Sequence, residues 1–157
     1  MKPKVYVETT IISYLAARPS RDLTAASHQQ VTHEWWQTAR QHFTAVSSQL
    51  VVREAGSGDS DAAAARMTFL ADLTLLEITE DALTLAQRLR SVKAIPQDFP
   101  EDALHVAVAV VNGVEYLLTW NYKHLANAAM RSRIEETCRE FGYKPAIICT
   151  PEELMEG

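Results

Sequence analysis

The stretch PEDALHVAVAVVNGVEYLLTWN, residues 100–121, is the most informative part of the chain for its fold. The apolar run after its opening proline predicts a buried helix that stops at Gly113. The run VEYLLT that follows has the apolar, β-prone composition of a buried strand. Two polar residues flank the pair: Asp102 lies in the first turn of the helix, and Asn121 comes just after the strand. A helix that leads directly into a buried strand predicts one unit of a larger α/β arrangement.

The rest of the chain alternates strands and helices in the same way. Four further strands are predicted in KVYV (residues 4–7), FTAVS (43–47), LTLLEI (73–78) and PAIICT (145–150). Helices are predicted between them, and the last one covers residues 122–142. This order predicts a parallel β-sheet with helices on both faces. A length of 157 residues suits a single core, so we expect residues 1–157 to form one α/β domain.

Charged and polar residues follow the predicted strands where a ligand site is expected. Open parallel sheets bind ligands just beyond the carboxyl ends of their strands. Glu8 ends the first strand, and Glu54 lies near the end of the short helix that follows the second. With the polar residues of the 100–121 stretch they form a set that we expect to converge on one edge of the sheet: Glu8, Glu54, Asp102 and Asn121.

Three carboxylates at one edge of a sheet need a counter-charge. At ~4 Å apart and an effective dielectric constant of 20, each neighbouring pair would repel by roughly 4 kcal/mol. Without a cation, the carboxylates would spread apart or take up protons. A set of oxygen ligands with no cysteine nearby favours a hard divalent ion, Mg²⁺ or Mn²⁺.

Each of these residues also has an ordinary structural explanation. Glu8 can end a strand at the surface, and Glu54 can be a solvated acid of a helix. Asp102 lies where acids favour the helix dipole, and Asn121 lies where a turn residue is common. His105, three residues after Asp102 on the same helical face, is either a partner of the site or a packed histidine. No single residue decides between a metal site and these ordinary positions.

Three segments together resemble the motifs of the PIN domain family, and within it the VapC-like toxins of bacterial and archaeal toxin–antitoxin pairs. They are VYVETTIISYL (residues 5–15), SSQLVVREA (47–55) and the 100–121 stretch, and the resemblance covers nearly the whole chain. Members of this family are metal-dependent nucleases, and the toxins cut RNA. The resemblance therefore implies a PIN-like domain, an RNA substrate and a cognate antitoxin as partner.

The resemblance also implies roles for single residues. One or two Mg²⁺ or Mn²⁺ ions would be held by the four residues named above and would activate water to attack a phosphodiester bond. Thr9 and Thr119 would orient ligands or water, or else bond backbone groups at the strand ends. Arg18 and Arg21, in the loop after the first helix, would hold phosphate near the site or else be solvated.

The chain departs from the family pattern at two of these positions. Glu8 stands where the family usually has Asp, and its extra methylene moves the carboxylate by about a bond length. Asn121 stands where an acid is often found, and it supplies only a neutral carbonyl. Two functions are therefore compatible with the sequence. One is a metal-dependent endoribonuclease that acts as the toxin of a pair, and the other is a catalytically weakened PIN-like module that binds RNA or protein.

Two adjacent tryptophans bear on association with other chains. Trp35 and Trp36 are neighbours on a predicted helix, about 100° apart around its axis, so both cannot point into the core. The outer one either lies at the edge of the helix or faces a partner, which would be an antitoxin segment or a second copy of the chain. We expect a homo-oligomer, most simply a dimer.

Composition excludes several classes of protein. Fifteen basic against twenty acidic side chains give a formal charge of −5, which argues against a protein that coats duplex nucleic acid through a basic face. The two cysteines form no disulfide framework and are expected to be buried, reduced thiols. No apolar run approaches the ~20 residues that span a bilayer, and MKPKVYVE has no apolar signal region. We expect a cytoplasmic protein.

Overall fold

All five predicted strands form in the computed structural model, which describes residues 1–155. They are β1 (Lys4–Val7), β2 (Thr44–Ser48), β3 (Thr74–Leu76), β4 (Tyr116–Leu118) and β5 (Ile147–Cys149). Their order across the sheet is β3-β2-β1-β4-β5, and each neighbouring pair is parallel. The predicted parallel sheet is confirmed, with β1 at its centre.

Helices connect the strands and flank the sheet. Within residues 1–155 they are α1 (Thr9–Ala16), α2 (Leu23–Gln37), α3 (Gln49–Ala55), α4 (Ser60–Leu70), α5 (Glu80–Ser91), α6 (Pro100–Val111) and α7 (Ala128–Glu140), with a short 3₁₀ helix at Ala39–His42. Asp22, Ser48 and Thr79 begin three of them by accepting a hydrogen bond from a backbone amide of the first turn. Such caps are worth about 1 kcal/mol each. None of these helices is long and apolar enough to span a membrane.

The last helix is shorter than the sequence predicts. Helix was expected over residues 122–142, but α7 begins at Ala128, because the side chain of Asn127 caps it and ends the preceding segment. Residues 122–126 form a turn instead, in which two backbone amides donate to the carbonyl of Asn121 at 3.2 and 2.7 Å. This turn, rather than a helix, follows the predicted site residue.

The core lies on both sides of the central strand. Val5, Tyr6 and Val7 of β1 have no exposed surface. Because successive residues of a strand point to opposite faces of a sheet, the burial of all three means that both faces are covered. On the helical side, Val106 and Ala107 of α6 belong to the same buried cluster. The predicted α/β layering is therefore confirmed.

The two adjacent tryptophans have different environments. Trp35 is fully buried, whereas Trp36 is half-buried at the edge of α2. The Trp36 ring contacts Phe69 with a centroid separation of 5.7 Å, and the Arg40 guanidinium lies 4.0 Å from its centroid. Of the two explanations for the outer tryptophan, its position matches the helix edge, where the chain's own residues pack against it.

The cysteines are buried thiols, as expected. Cys138 and Cys149 form no disulfide. Burial raises the pKa of Cys138 to about 11 and that of Cys149 to about 12. Both thiols therefore remain protonated at neutral pH, and neither has the low pKa of a reactive cysteine.

Candidate functional site

Glu8 lies directly after β1 and is only 4 % exposed, so its charge is buried at the carboxyl edge of the sheet. Its Oε1 accepts hydrogen bonds from the hydroxyls of Thr10 (2.5 Å) and Thr119 (2.6 Å). Thr10 lies in the first turn of α1 and Thr119 follows β4, so the carboxylate joins two elements. These bonds offset part of the cost of burying the charge. Within residues 1–155, no hydrogen bond reaches the other oxygen, Oε2.

Glu54, near the end of α3, is held in a similar way. Its Oε1 accepts a hydrogen bond from the Thr9 hydroxyl (2.5 Å) and lies 2.7 Å from Nε2 of His105. Partial burial raises the pKa of Glu54, but the hydrogen bond and charge of His105, together with the Thr9 bond, outweigh burial and leave the pKa below its usual value. In the described part of the chain, Oε2 of Glu54 also accepts no hydrogen bond.

His105 is a buried part of the site, not only a packed histidine. Its ring is 1 % exposed, and its Nδ1 lies 2.7 Å from the hydroxyl of Tyr6. That hydroxyl is also 2.7 Å from the Ser48 hydroxyl, which forms a chain of polar groups through the core. Burial lowers the pKa of His105. The bond to Glu54 and the negative charges of Glu8, Glu54 and Asp102 outweigh burial, so the pKa lies above its usual value. Of the three predicted acids, Glu54 is the one that contacts this imidazole.

Asp102 and Asn121 form a second bonded group beside the first. Oδ1 of Asp102 accepts from the Asn121 amide (3.2 Å), and Oδ2 lies 2.7 Å from Nδ1 of His124. The Asn121 carbonyl accepts from the backbone amide of His124 (3.1 Å). The backbone amide of Asn121 donates to the Thr119 hydroxyl (3.0 Å), the same hydroxyl that bonds Glu8. The four predicted site residues are therefore brought to one edge of the sheet.

Among the residues that bond the predicted acids, two were not predicted from the sequence. Thr10 bonds Glu8, and His124 bonds Asp102 while the Phe99 ring packs on its imidazole at 3.9 Å between centroids. The signal for Thr10 was available, because it follows Glu8 by two residues within the first motif. The contact of His124 with Asp102 could not be inferred from the sequence, because the segment that carries His124 was expected to be helical.

The four residues predicted to support the site, namely Thr9, Thr119, Arg18 and Arg21, behave as two pairs. Thr9 and Thr119 each donate to a carboxylate of the site, so both orient acids through their hydroxyls. Arg18 and Arg21 are exposed in the loop between α1 and α2, and neither guanidinium bonds another residue of the 1–155 region. Their expected contact with phosphate stays a prediction.

A cleft of about 600 Å³ opens beside these acids between α3 and α6. Glu54 and Asp102 line it from opposite helices. We call it the α3–α6 cleft, and its lining consists of Leu50, Arg53, Glu54, Ser57, Pro100, Glu101, Asp102 and Leu104. Its volume is in the range of sites that take one small ligand.

The donor set fits a hard divalent ion that keeps much of its water. Among residues 1–155, no three His, Cys, Asp or Glu side chains are placed to hold one ion together. Mg²⁺, however, is usually bound by one or two carboxylates with water and substrate phosphate, and not by a closed cage. Glu8 and Glu54 match that requirement, because each has one oxygen fixed by hydrogen bonds and a second oxygen without one.

Comparison with known proteins gives a structural likeness and no sequence match. No family model and no curated protein matches the chain. Among solved structures, the chain is similar to VapBC2 from Rickettsia felis bound to a promoter DNA fragment, at 16 % identity and a TM-score of 0.61, covering 94 % of this chain and 98 % of that one. It is also similar to VapC20 from Mycobacterium tuberculosis, a sarcin–ricin-loop-cleaving toxin, at 16 % identity and a TM-score of 0.57, covering 76 % and 91 %. The chain has the VapC-like PIN-domain fold that the sequence predicts.

Proposed function

We propose that this chain is a metal-dependent endoribonuclease and the toxin of a toxin–antitoxin pair. The observation that carries the proposal is the position of Glu8, Glu54 and Asp102 at the carboxyl edge of the sheet. Hydrogen bonds link Glu8 to Asp102 through Thr119 and Asn121, and Glu54 lines the same open cleft as Asp102. Acids concentrated in this way bind cations, and the cleft gives a phosphodiester access to them. The similarity to toxins, one of which cleaves the sarcin–ricin loop, supports RNA as the substrate.

The metal would be Mg²⁺ or Mn²⁺, with Glu8, Glu54, Asp102 and Asn121 as its candidate ligands. When bound, the ion would supply the Lewis acidity that activates water and offsets the charge of the phosphate. The chain's own residues hold the ligands in place. Thr10 and Thr119 fix one oxygen of Glu8, while Thr9 and His105 fix one oxygen of Glu54. Groups that orient metal ligands in this way commonly change metal affinity or activity by about 10- to 100-fold when removed.

The proposal also includes an antitoxin as the protein partner of this chain. VapBC2 was solved bound to promoter DNA, and this likeness supports an antitoxin partner for the present chain. A homodimer and a cytoplasmic location remain predictions from the sequence. The antitoxin would be encoded by a small neighbouring reading frame, which makes the genomic context a simple independent check.

The experiment that tests the proposal is cleavage of a labelled RNA pool with Mg²⁺ or Mn²⁺ and with chelator. We expect cutting by the wild type only with metal, and none by Asp102→Ala, which loses one candidate ligand at the edge of the sheet. Asp98→Ala is the matched control, because Asp98 is an exposed acid of the preceding loop and should be dispensable. Thermal unfolding should show a metal-dependent rise in Tm for the wild type that Asp102→Ala largely loses.

One observation favours a second function, a weakened module that binds RNA or protein without cutting. The Asn121 side chain is already occupied, because its amide donates to Asp102 and its carbonyl accepts from the His124 backbone. Its oxygen is a neutral ligand with one lone pair already used, so it would hold an ion less strongly than the carboxylate often found at this position of the family pattern. RNA binding without cleavage, and no rise in Tm at millimolar metal, would favour the module over the nuclease.

A further inference from the structure

Arg53 is a cation in the α3–α6 cleft that the sequence motifs did not single out. It directly precedes Glu54 on α3, and it lines the cleft together with Glu54, Glu101 and Asp102. Every other charged residue of the lining is an acid. Any polyanion that enters this cleft therefore meets negative charge from both helices and one positive side chain.

The Arg53 guanidinium has no partner in the described part of the chain. Within residues 1–155 it forms no hydrogen bond and no ion pair, although Glu101 lines the same cleft. Other arginines are engaged in the fold: Arg66 bonds the carbonyls of Ala55 and Ser57, and Arg90 bonds a loop carbonyl. Arg53 is exposed, and its donors are available to a ligand in the cleft.

We propose that Arg53 contacts a phosphate of the RNA strand that enters the α3–α6 cleft, and so positions the strand beside Glu54 and Asp102. This inference rests on the proposed ribonuclease function. A strand approaching a chain of net charge −5 and a group of carboxylates is repelled, so a local cation is needed where it enters. The forked donors of arginine suit phosphate oxygens. A cleft of about 600 Å³ is large enough for the nucleotide units of a single strand.

The test compares RNA affinity at several salt concentrations, because each phosphate contact contributes to the salt dependence. The probe is a fluorescently labelled, mixed-sequence, single-stranded RNA of about a dozen nucleotides, followed by anisotropy with Mg²⁺ present. The proteins carry Asp102→Asn so that cleavage does not consume the probe. Arg53→Gln, Arg53→Lys and, as control, Arg139→Gln are added to this background. Arg139 is an exposed arginine of α7 that does not line the cleft.

We expect Arg53→Gln to lower affinity by about tenfold and to reduce the slope of log affinity against log salt by about 0.7, the value for one phosphate contact on a single strand. Arg53→Lys should keep the slope because it keeps the charge. Arg139→Gln should change neither affinity nor slope. The Tm of Arg53→Gln should stay close to that of its background, because the guanidinium forms no hydrogen bond or ion pair within residues 1–155 and affects the fold only through its charge near Glu54.

An unchanged slope in Arg53→Gln would overturn the inference, and so would an equal change in Arg139→Gln. Failure of the Asp102→Asn protein to bind the RNA pool would overturn it as well. Wild-type cleavage, measured in parallel, separates this inference from the function on which it rests. If the wild type cuts RNA while Arg53→Gln leaves the slope of log affinity against log salt unchanged, only the role of Arg53 is wrong. If the wild type neither binds nor cuts, both proposals fail.

Discussion

Two histidine–carboxylate pairs in this molecule have the same contact distance but different support. His105 lies 2.7 Å from Glu54, and His124 lies 2.7 Å from Asp102. The inner pair is anchored in the core, because the other nitrogen of His105 bonds the buried Tyr6 hydroxyl. The outer pair is anchored by a turn, and the exposed ring of Phe99 packs over its imidazole.

The comparison separates residues that stabilise the fold from residues that orient the site. Loss of His105 would remove a bond from the fully buried Tyr6 hydroxyl, where water cannot replace it, and another from Glu54. In the outer pair the imidazole is also buried, but Asp102 is 17 % exposed and keeps the bond from the Asn121 amide, so loss of His124 would mainly cost the carboxylate its fixed orientation. We therefore expect inner substitutions to act on stability as well as on the site, and outer substitutions to act mainly on metal binding.

The largest expected effect on stability is that of His105→Ala. It should lower the free energy of unfolding by about 3 kcal/mol, because it removes one hydrogen bond each from the Tyr6 hydroxyl and from Glu54 and opens a cavity in the core. Urea unfolding followed by circular dichroism measures it. His42→Ala, at an exposed position of the 3₁₀ helix, is the control and should cost little. An equally small loss for both variants would show that the inner pair has no special structural role.

Tyr6→Phe should have the next largest effect. It keeps the buried ring but removes the hydroxyl that lies 2.7 Å from both Ser48 and His105. We expect a loss of about 1.5 kcal/mol in urea unfolding, smaller than for His105→Ala because Glu54 keeps its partner. A Tyr6→Phe protein as stable as the wild type would mean that the chain of polar groups through the core contributes no net stability.

His124→Ala should cost only about 1 kcal/mol in stability, because Asp102 is partly exposed to water and keeps the bond from the Asn121 amide. Its main effect should be on metal binding. Without His124, Asp102 loses one of its two side-chain partners, and the rise in Tm with Mg²⁺ should shrink at a given metal concentration. Lys123→Ala, an exposed position of the same turn, should leave the rise unchanged. A full metal response in His124→Ala would show that the outer pair does not orient a ligand.

Asn121→Asp should have a small effect on stability and the most informative sign. In chelator it should destabilise the protein by about 1 kcal/mol, because the hydrogen bond from the amide to Asp102 is lost and the two partly exposed carboxylates turn apart to limit their repulsion. With Mg²⁺ the order of the two melting temperatures should reverse, so that Asn121→Asp melts above the wild type. The added carboxylate is a better ligand than the amide carbonyl. Asn112→Asp, at the end of α6, is the control and should show no such reversal. Melting curves in both buffers test this.

The sequence predicted the layering of the fold because hydrophobic periodicity is a local property. Alternating apolar runs located the five strands, and the carboxyl ends of strands indicated where Glu8 and Asn121 would lie. The order of strands across the sheet was not predicted, because it depends on which surfaces pack together over long sequence separations. Chain direction alone does not specify that β1 is central, between β2 and β4.

Side-chain partners in the site were predicted less well, for a related reason. Thr9 and Thr119 were named because they lie within two residues of the predicted site residues Glu8 and Asn121, in segments that resemble the family motifs. His124 was not named, since an uninterrupted helix was expected over 122–142. In the structure the helix begins only at Ala128, after the cap at Asn127. Arg53 was passed over because an arginine on a helix is an ordinary surface residue until the neighbouring helix is in place. Contacts made by turns and between helices depend on the completed fold.

The bond between Glu8 and Thr119 has a consequence for how the protein becomes active during synthesis. The two residues are 111 positions apart, and the bond exists only once β1 and β4 lie side by side. His124, which orients Asp102, comes later still. A nascent chain on the ribosome therefore carries Glu8 and Glu54 long before it can assemble the full site. Any activity that depends on the site therefore begins only after β4 and the turn that carries His124 have been synthesised and have folded against β1.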